Sequence, residues 1–87
     1  MAVMPAPKPL RFRKLEPDWW RALRDGRTYD IYRDEGLDQF RAVIRDTRDR
    51  IIVEATFDLS QRGAHLKARR FLEADGQVPG IRRKVVA

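Results

Sequence analysis

Alternation of apolar and polar residues is clearest over residues 28–57, which read TYDIYRDEGLDQFRAVIRDTRDRIIVEATF. The runs 28–33, 39–45 and 51–57 alternate and are rich in β-branched and aromatic residues, which predicts three strands. The links between them are short and polar, which favours an antiparallel meander. Alternation assigns these residues to an apolar face: Tyr29, Ile31, Phe40, Ala42, Ile44, Ile51, Val53, Ala55 and Phe57. The opposite face carries arginines and acids, which we expect to form cross-strand ion pairs: Asp30, Tyr32, Arg41, Val43, Arg45, Ile52, Glu54 and Thr56.

One helix is predicted before these strands in the sequence and a second helix after them. Pro17 suits a first helical position and Gly26 a C-terminal cap, which predicts a short helix over 17–26 with Trp19 on its core side. A second helix is predicted from about residue 60 to Asp75, stopped by Gly76. The expected fold is α+β: a three-stranded antiparallel sheet with the C-terminal helix packed on one face and the short N-terminal helix at its edge.

Charge divides the chain of 87 residues into three parts. Residues 1–14 contain three alternating prolines and carry +4, which predicts an extended Pro-rich basic arm. Residues 15–76 are expected to form a single α+β domain, and residues 77–87 a basic C-terminal tail. Because residues 15–80 sum to −1 and residues 81–87 to +3, the net charge of +6 comes entirely from the two ends.

Composition argues against several classes of function. The chain has no cysteine and a single histidine, His65, which borders the apolar stripe of the second helix. We therefore expect no catalytic residues, no metal site and no cofactor. No apolar run approaches the roughly 20 residues of a membrane span, and no signal-peptide pattern begins the chain, which predicts a cytoplasmic protein with no membrane partner.

The position of the positive charge favours nucleic acid as the partner, DNA or RNA. Arginine predominates among the cations and suits phosphate, which the ends of the chain and the second helix would neutralise. The candidate nucleic-acid-binding residues are Lys8, Arg11, Arg13, Lys14, Arg62, Arg69, Arg70, Arg82, Arg83 and Lys84. Such contacts position a protein on the backbone and read few bases.

A protein-binding module is the alternative, either a small subunit of a larger assembly or a phage-type inhibitor of a host complex. Its candidate interface residues are Leu10 and Phe12 on the arm, Trp20, and Leu66 on the second helix. The segment 10–13 is then either a short strand or a docking segment. Opposite charges gathered in different parts of the chain also make a homo-oligomer possible.

The predicted order of helix, three strands and helix over residues 17–75 resembles that of double-stranded-RNA-binding domains. The three strands followed by a helix also resemble the arm-binding N-terminal domains of tyrosine recombinases. In the RNA-binding family, a basic cluster begins the second helix, where this chain has Gln61-Arg62-Gly63 and then Lys67. Both resemblances imply nucleic-acid binding.

Overall fold

The computed structural model describes residues 9–34 and 36–85. It contains six strands and one helix over these residues. The elements are β1 (Arg13–Glu16), β2 (Trp19–Arg24), β3 (Arg27–Asp34), β4 (Gln39–Arg45), β5 (Ile51–Asp58), α1 (Ala64–Glu73) and β6 (Lys84–Val85). The strands form one antiparallel sheet in the order β1-β2-β3-β4-β5-β6. The prediction of a three-stranded sheet was therefore wrong, although the fold is α+β.

The predicted N-terminal helix is instead part of a β-hairpin. Pro17 and Asp18 form the turn between β1 and β2, and Asp25 and Gly26 form the turn between β2 and β3. Both Asp25 (φ 52°) and Gly26 (φ 77°) have the positive φ that a two-residue type I′ hairpin turn requires. Gly26 therefore closes a hairpin and does not cap a helix. Strand geometry also shows that the core position predicted for Trp19 is wrong, because Trp20 faces the core and Trp19 lies on the opposite face.

The central strands have the predicted faces except at the start of β5, where a register shift pairs Ile51 with Arg45 and packs Ile52 against the core. Tyr29 pairs with Ile44 and Ile44 with Val53, while Ala42 lies between Ile31 and Ala55 in the same register. These side chains pack beneath α1, whose buried residues are Ala64, Ala68, Phe71 and Leu72. We call this side of the sheet the helix face and the other side the outer face. A one-residue slip would bury the charged residues of the outer face, so one-sided burial determines the register.

A buried arginine joins the end of α1 to the sheet. Arg24 is 6% exposed, and its Nη2 lies 2.9 Å from Oδ1 of Asp75. The hydroxyl of Tyr29 donates to the same carboxylate oxygen at 2.6 Å. Burial and the hydrogen bond to Asp75 raise the pKa of Tyr29, so its hydroxyl remains a donor at neutral pH. This network anchors residues 73–75 over β2 and β3.

Part of the predicted basic arm also belongs to the folded unit. Residues 13–16 form the edge strand β1, and Leu10 is 4% exposed within the hydrophobic core. The backbone N–H of Leu10 donates to both carboxylate oxygens of Glu73, at 3.3 and 3.2 Å. Residues 9–16 therefore pack along α1 and β2. Lys8 lies outside the described residues.

Candidate functional site

Residues 11–14 and α1 meet at one edge of the molecule. The Arg69 guanidinium lies 5.1 Å from the centroid of the Phe12 ring, a distance typical of a cation–π contact. Arg70 follows Arg69 on the exposed surface of α1, and Arg62 lies in the turn two residues before the helix begins at Ala64. The structure thus brings together basic residues that are about fifty positions apart in the sequence.

We call this set the basic edge. Its members are Arg11, Arg13, Lys14, Arg62, Arg69 and Arg70. All six are exposed, and none lies within 4.0 Å of a carboxylate oxygen of residues 9–34 or 36–85. Because β1 is the outermost strand, Lys14 on its helix face and Arg13 on its outer face both lie at the rim of the sheet. The six cations are consequently available to an anionic partner.

Three arginines of β2 and β4 are in a different state, because acids of the protein pair with Arg21, Arg41 and Arg45. Asp30 is 1% exposed and accepts from Arg21 Nε at 2.7 Å and from Arg45 Nη1 at 2.9 Å. Trp19 Nε1 adds a bond of 3.3 Å to Asp30 Oδ1. The hydrogen bond to Asp30 raises the pKa of Arg21 above its ordinary value. The pair of Arg45 and Asp30 confirms the predicted cross-strand ion pairing, whereas the pair of Arg21 and Asp30 was not predicted; both give these arginines a structural role.

The C-terminal cations form a separate group at the β6 edge of the sheet, opposite the β1 edge. Arg82, Arg83 and Lys84 line a cleft of about 520 Å³ together with Arg41 of β4. Lys84 Nζ lies 4.0 Å from Oε1 of Glu54, and Arg83 Nη1 donates to the Gly76 carbonyl at 2.8 Å. The predicted set of binding residues is thus divided between two places. Arg41 was not among them, because its alternation in β4 predicted only ion pairing, and no sequence signal places it beside residues 82–84.

The predicted protein-interface residues differ widely in exposure. Leu10 is buried, Phe12 lies half-buried beneath Arg69, and Trp20 is half-buried, whereas Leu66 is 50% exposed on α1. Two exposed leucines were missed. Leu15 and Leu23, 43% and 72% exposed, line a groove of about 240 Å³ at the β1 edge together with Arg11, Arg13 and Arg21. Because the hairpin was predicted as a helix, their common surface could not be recognised.

His65 belongs to an aromatic cluster. Its ring centroid lies 4.4 Å from that of Trp20 and 5.7 Å from that of Phe40. Nε2 is buried and has no hydrogen-bond partner among the described residues. Burial, with a smaller contribution from the charge of Arg69, lowers the pKa of His65. A histidine in this position supports packing between α1 and β2.

His65 makes stability depend on pH in a defined direction. The unfolded chain binds a proton near pH 6.5, whereas the folded chain resists protonation of His65 to a lower pH. The stabilisation is therefore complete above the unfolded-state pKa of about 6.5 and is lost progressively as the pH falls from there through the folded-state pKa. We expect urea unfolding at pH 7.5 and 5.5 to show a loss of up to about 1 kcal/mol, limited by solvent screening of a half-buried ring. His65→Phe retains an aromatic ring and should abolish most of the loss; an equal pH dependence in both proteins would contradict this assignment.

Residues 9–34 and 36–85 contain no group of three or more His, Asp or Glu arranged to hold a metal ion. Within the same residues, no helix is long and apolar enough to cross a membrane. Comparison with protein-family models, curated proteins and solved structures finds no match to this chain. The resemblances to RNA-binding and recombinase domains therefore stay predictions.

Proposed function

We propose that this chain is a non-catalytic protein that binds nucleic acid through the basic edge. The observation that carries the proposal is the contrast between two sets of arginines. Arg21, Arg41 and Arg45 are paired with Asp30 or Asp34, whereas the six cations of the basic edge have no carboxylate within 4.0 Å among the described residues. Unpaired arginine and lysine at one rim can neutralise successive phosphates.

The mechanism is release of counterions from the phosphate backbone. If all six cations contact duplex DNA, a plot of log affinity against log salt concentration has a slope of about −5. We expect these contacts to go to phosphate oxygens, which position the duplex and carry little sequence information. Binding to duplexes of unrelated sequence is expected to be similar.

A pair of matched variants tests the proposal. Arg62→Gln with Arg70→Gln removes two exposed charges from the basic edge, while Arg48→Gln with Arg50→Gln removes two from the connection between β4 and β5. We expect the first variant to reduce the magnitude of the salt slope by about 2 and to weaken low-salt affinity about tenfold or more. The measurement is fluorescence anisotropy with labelled DNA and RNA duplexes over a series of salt concentrations.

The control variant has the same net charge and should bind almost as well as the native chain. Equal losses in the two variants would show that only net charge matters and would contradict a localised interface. An unchanged slope in the Arg62/Arg70 variant would contradict the proposal directly. Circular dichroism of both variants establishes that the fold is retained.

Protein binding is the second candidate function, favoured by the groove that contains Leu15 and Leu23. Its exposed leucines and basic rim suit an apolar segment that also carries acids. Leu23→Ser, included in the same titration, should leave duplex affinity unchanged because leucine contributes no charge. A large loss of duplex affinity in this variant would mean that the groove and the basic edge act as one surface.

A further inference from the structure

The outer face of the sheet has no covering element among the described residues. The helix α1 lies on the other face, where the core is. The outer face is not flat, because two clefts open on it. One lies beside β2 and β3 and the other beside β5 and β6. The charges of these clefts are opposite in sign.

The first cleft, of about 810 Å³, is acidic. Five carboxylates and three arginines line it, a net charge of −2: Glu16, Asp18, Asp30, Asp34 and Asp49 with Arg21, Arg33 and Arg45. Trp19 and Tyr32 supply aromatic surface in the same cleft. Asp18 is exposed, and its side chain has no ion pair among the described residues. An acidic cleft with aromatic walls is suited to a guanidinium or ammonium group.

The second cleft, of about 520 Å³, is basic. It contains Arg41, Arg82, Arg83 and Lys84 against Glu54 alone, a net charge of +3. Arg82 is exposed and forms no ion pair with the described residues. The two clefts adjoin near the middle of the sheet, where Arg41 Nη2 of the basic cleft lies 2.8 Å from Asp34 Oδ2 of the acidic one.

Opposite charges side by side on one face make that face complementary to itself. Consider a two-fold axis that lies over the outer face and runs along β4, parallel to the strands. It would place the acidic cleft of each copy opposite the basic cleft of the other, which gives two equivalent contacts. Such an arrangement is the isologous contact found in most homodimers. It would also stack the two sheets with their strands nearly aligned, as in sandwiches.

We propose that a second copy of this chain covers the outer face and forms a symmetric dimer. Arg82 of each copy enters the acidic cleft of the other, near Trp19 and Asp18. Arg69 and Arg70 of the basic edge lie on α1, on the opposite face of the sheet, and remain uncovered in this dimer, so two nucleic-acid-binding surfaces would be joined in one particle. The dimer does not depend on nucleic-acid binding and is tested without it.

Sedimentation equilibrium of the full chain tests the dimer. At about 0.15 M salt, the Debye length of about 8 Å screens repulsion between the remote basic edges but leaves contacts near 4 Å effective. We expect the average mass to rise with concentration from 10.3 kDa towards twice that value. At about 1 M salt, where the Debye length is about 3 Å, the dimer should weaken about tenfold or more.

A charge exchange tests the proposed surface. Asp18→Lys and Arg82→Glu should each weaken self-association about tenfold or more, because each places like charges opposite one another in both symmetric contacts. Mixing the two variants should restore the native affinity. In the mixed dimer the introduced lysine faces the introduced glutamate at one contact, and the native pair of Asp18 and Arg82 forms at the other. Arg48→Glu, outside both clefts, is the matched control.

A monomeric mass at all concentrations would overturn the proposal. A dimer that is insensitive to both variants, or that the mixture does not restore, would also overturn it by placing the contact elsewhere. Nucleic-acid binding could persist in each of these cases, because it rests on the basic edge. The two proposals therefore fail separately.

Discussion

Asp30→Asn is expected to lower the free energy of unfolding by about 3 kcal/mol. The Asp30 carboxylate is 1% exposed and accepts from Arg21, Arg45 and Trp19. The amide keeps the shape of the side chain but removes the charge, and its NH₂ group faces guanidinium donors. Breaking a buried ion pair in this way leaves uncompensated charge, which costs several kcal/mol when the partners are fully buried. The expected loss is smaller than that upper range because Arg21 and Arg45 retain 37% and 22% side-chain exposure.

Asp49→Asn is the matched control for this prediction. Asp49 also faces Arg45, at 3.8 Å, but its side chain is 86% exposed. Asparagine tolerates the positive φ of 63° at this position, so only the charge is removed. Urea denaturation should show a change within about 0.5 kcal/mol. Similar losses in the two variants would show that burial of Asp30 does not determine its contribution.

Gly76→Ala is expected to lower the free energy of unfolding by about 2–4 kcal/mol. Gly76 has a φ of 78°, and a Cβ there would lie 2.8 Å from Val53 Cγ1 and 3.2 Å from Phe71 Cζ. The backbone strain contributes about 1 kcal/mol or more. Displacing packed side chains adds about 1–3 kcal/mol. Both Val53 and Phe71 belong to the contact between α1 and β5, so the change should also loosen the C-terminal end of the helix.

Gly80→Ala separates the two contributions. Gly80 has almost the same φ, 82°, but nothing lies within 4 Å of the position of its Cβ. The control should therefore show only the conformational cost, about 1 kcal/mol. Thermal and urea unfolding of both variants provide the comparison. If Gly80→Ala were as destabilising as Gly76→Ala, close packing would not explain the need for glycine at position 76.

The central strands could be predicted from sequence because one physical constraint dominates them. Alternation in residues 28–57 separates a buried face from a charged one, and register follows from that separation. The same reasoning predicted the outer-face ion pairs. The helix was also predicted, but it begins at Ala64 and not near residue 60. The later start has a local reason, since residues 59–63 form turns and Gly63, at φ 76°, takes the N-cap position.

The outer strands were missed because their local signals are ambiguous. Asp25-Gly26 suits both a helix end and a hairpin turn, and only the fit of Trp20, Ala22 and Arg24 against β3 favours the strand. Strands β1 and β6 contain four and two described residues, too few for a period to be recognised. Their positions depend on tertiary pairing.

The sequence could predict which charged residues belong to the candidate site, but it could not predict which of them lie close together in the fold. Net charge by segment identified the basic ends of the chain. The stack of Arg69 on Phe12 depends on how residues 9–14 pack against α1, and the cleft around Arg82 depends on the return of the chain beside β5. Both are contacts between residues distant in sequence, which composition alone does not describe.

The strand order has a consequence for how the chain folds. Each pairing from β1 to β5 joins neighbours in sequence, so each closes a short loop at small entropic cost. The pairing of β6 with β5 is different, since residues 59–83, including the whole helix, lie between them. We therefore expect the successive hairpins to form rapidly from local contacts. The pairing of β6 with β5 is expected to form later, after the helix has packed against the sheet.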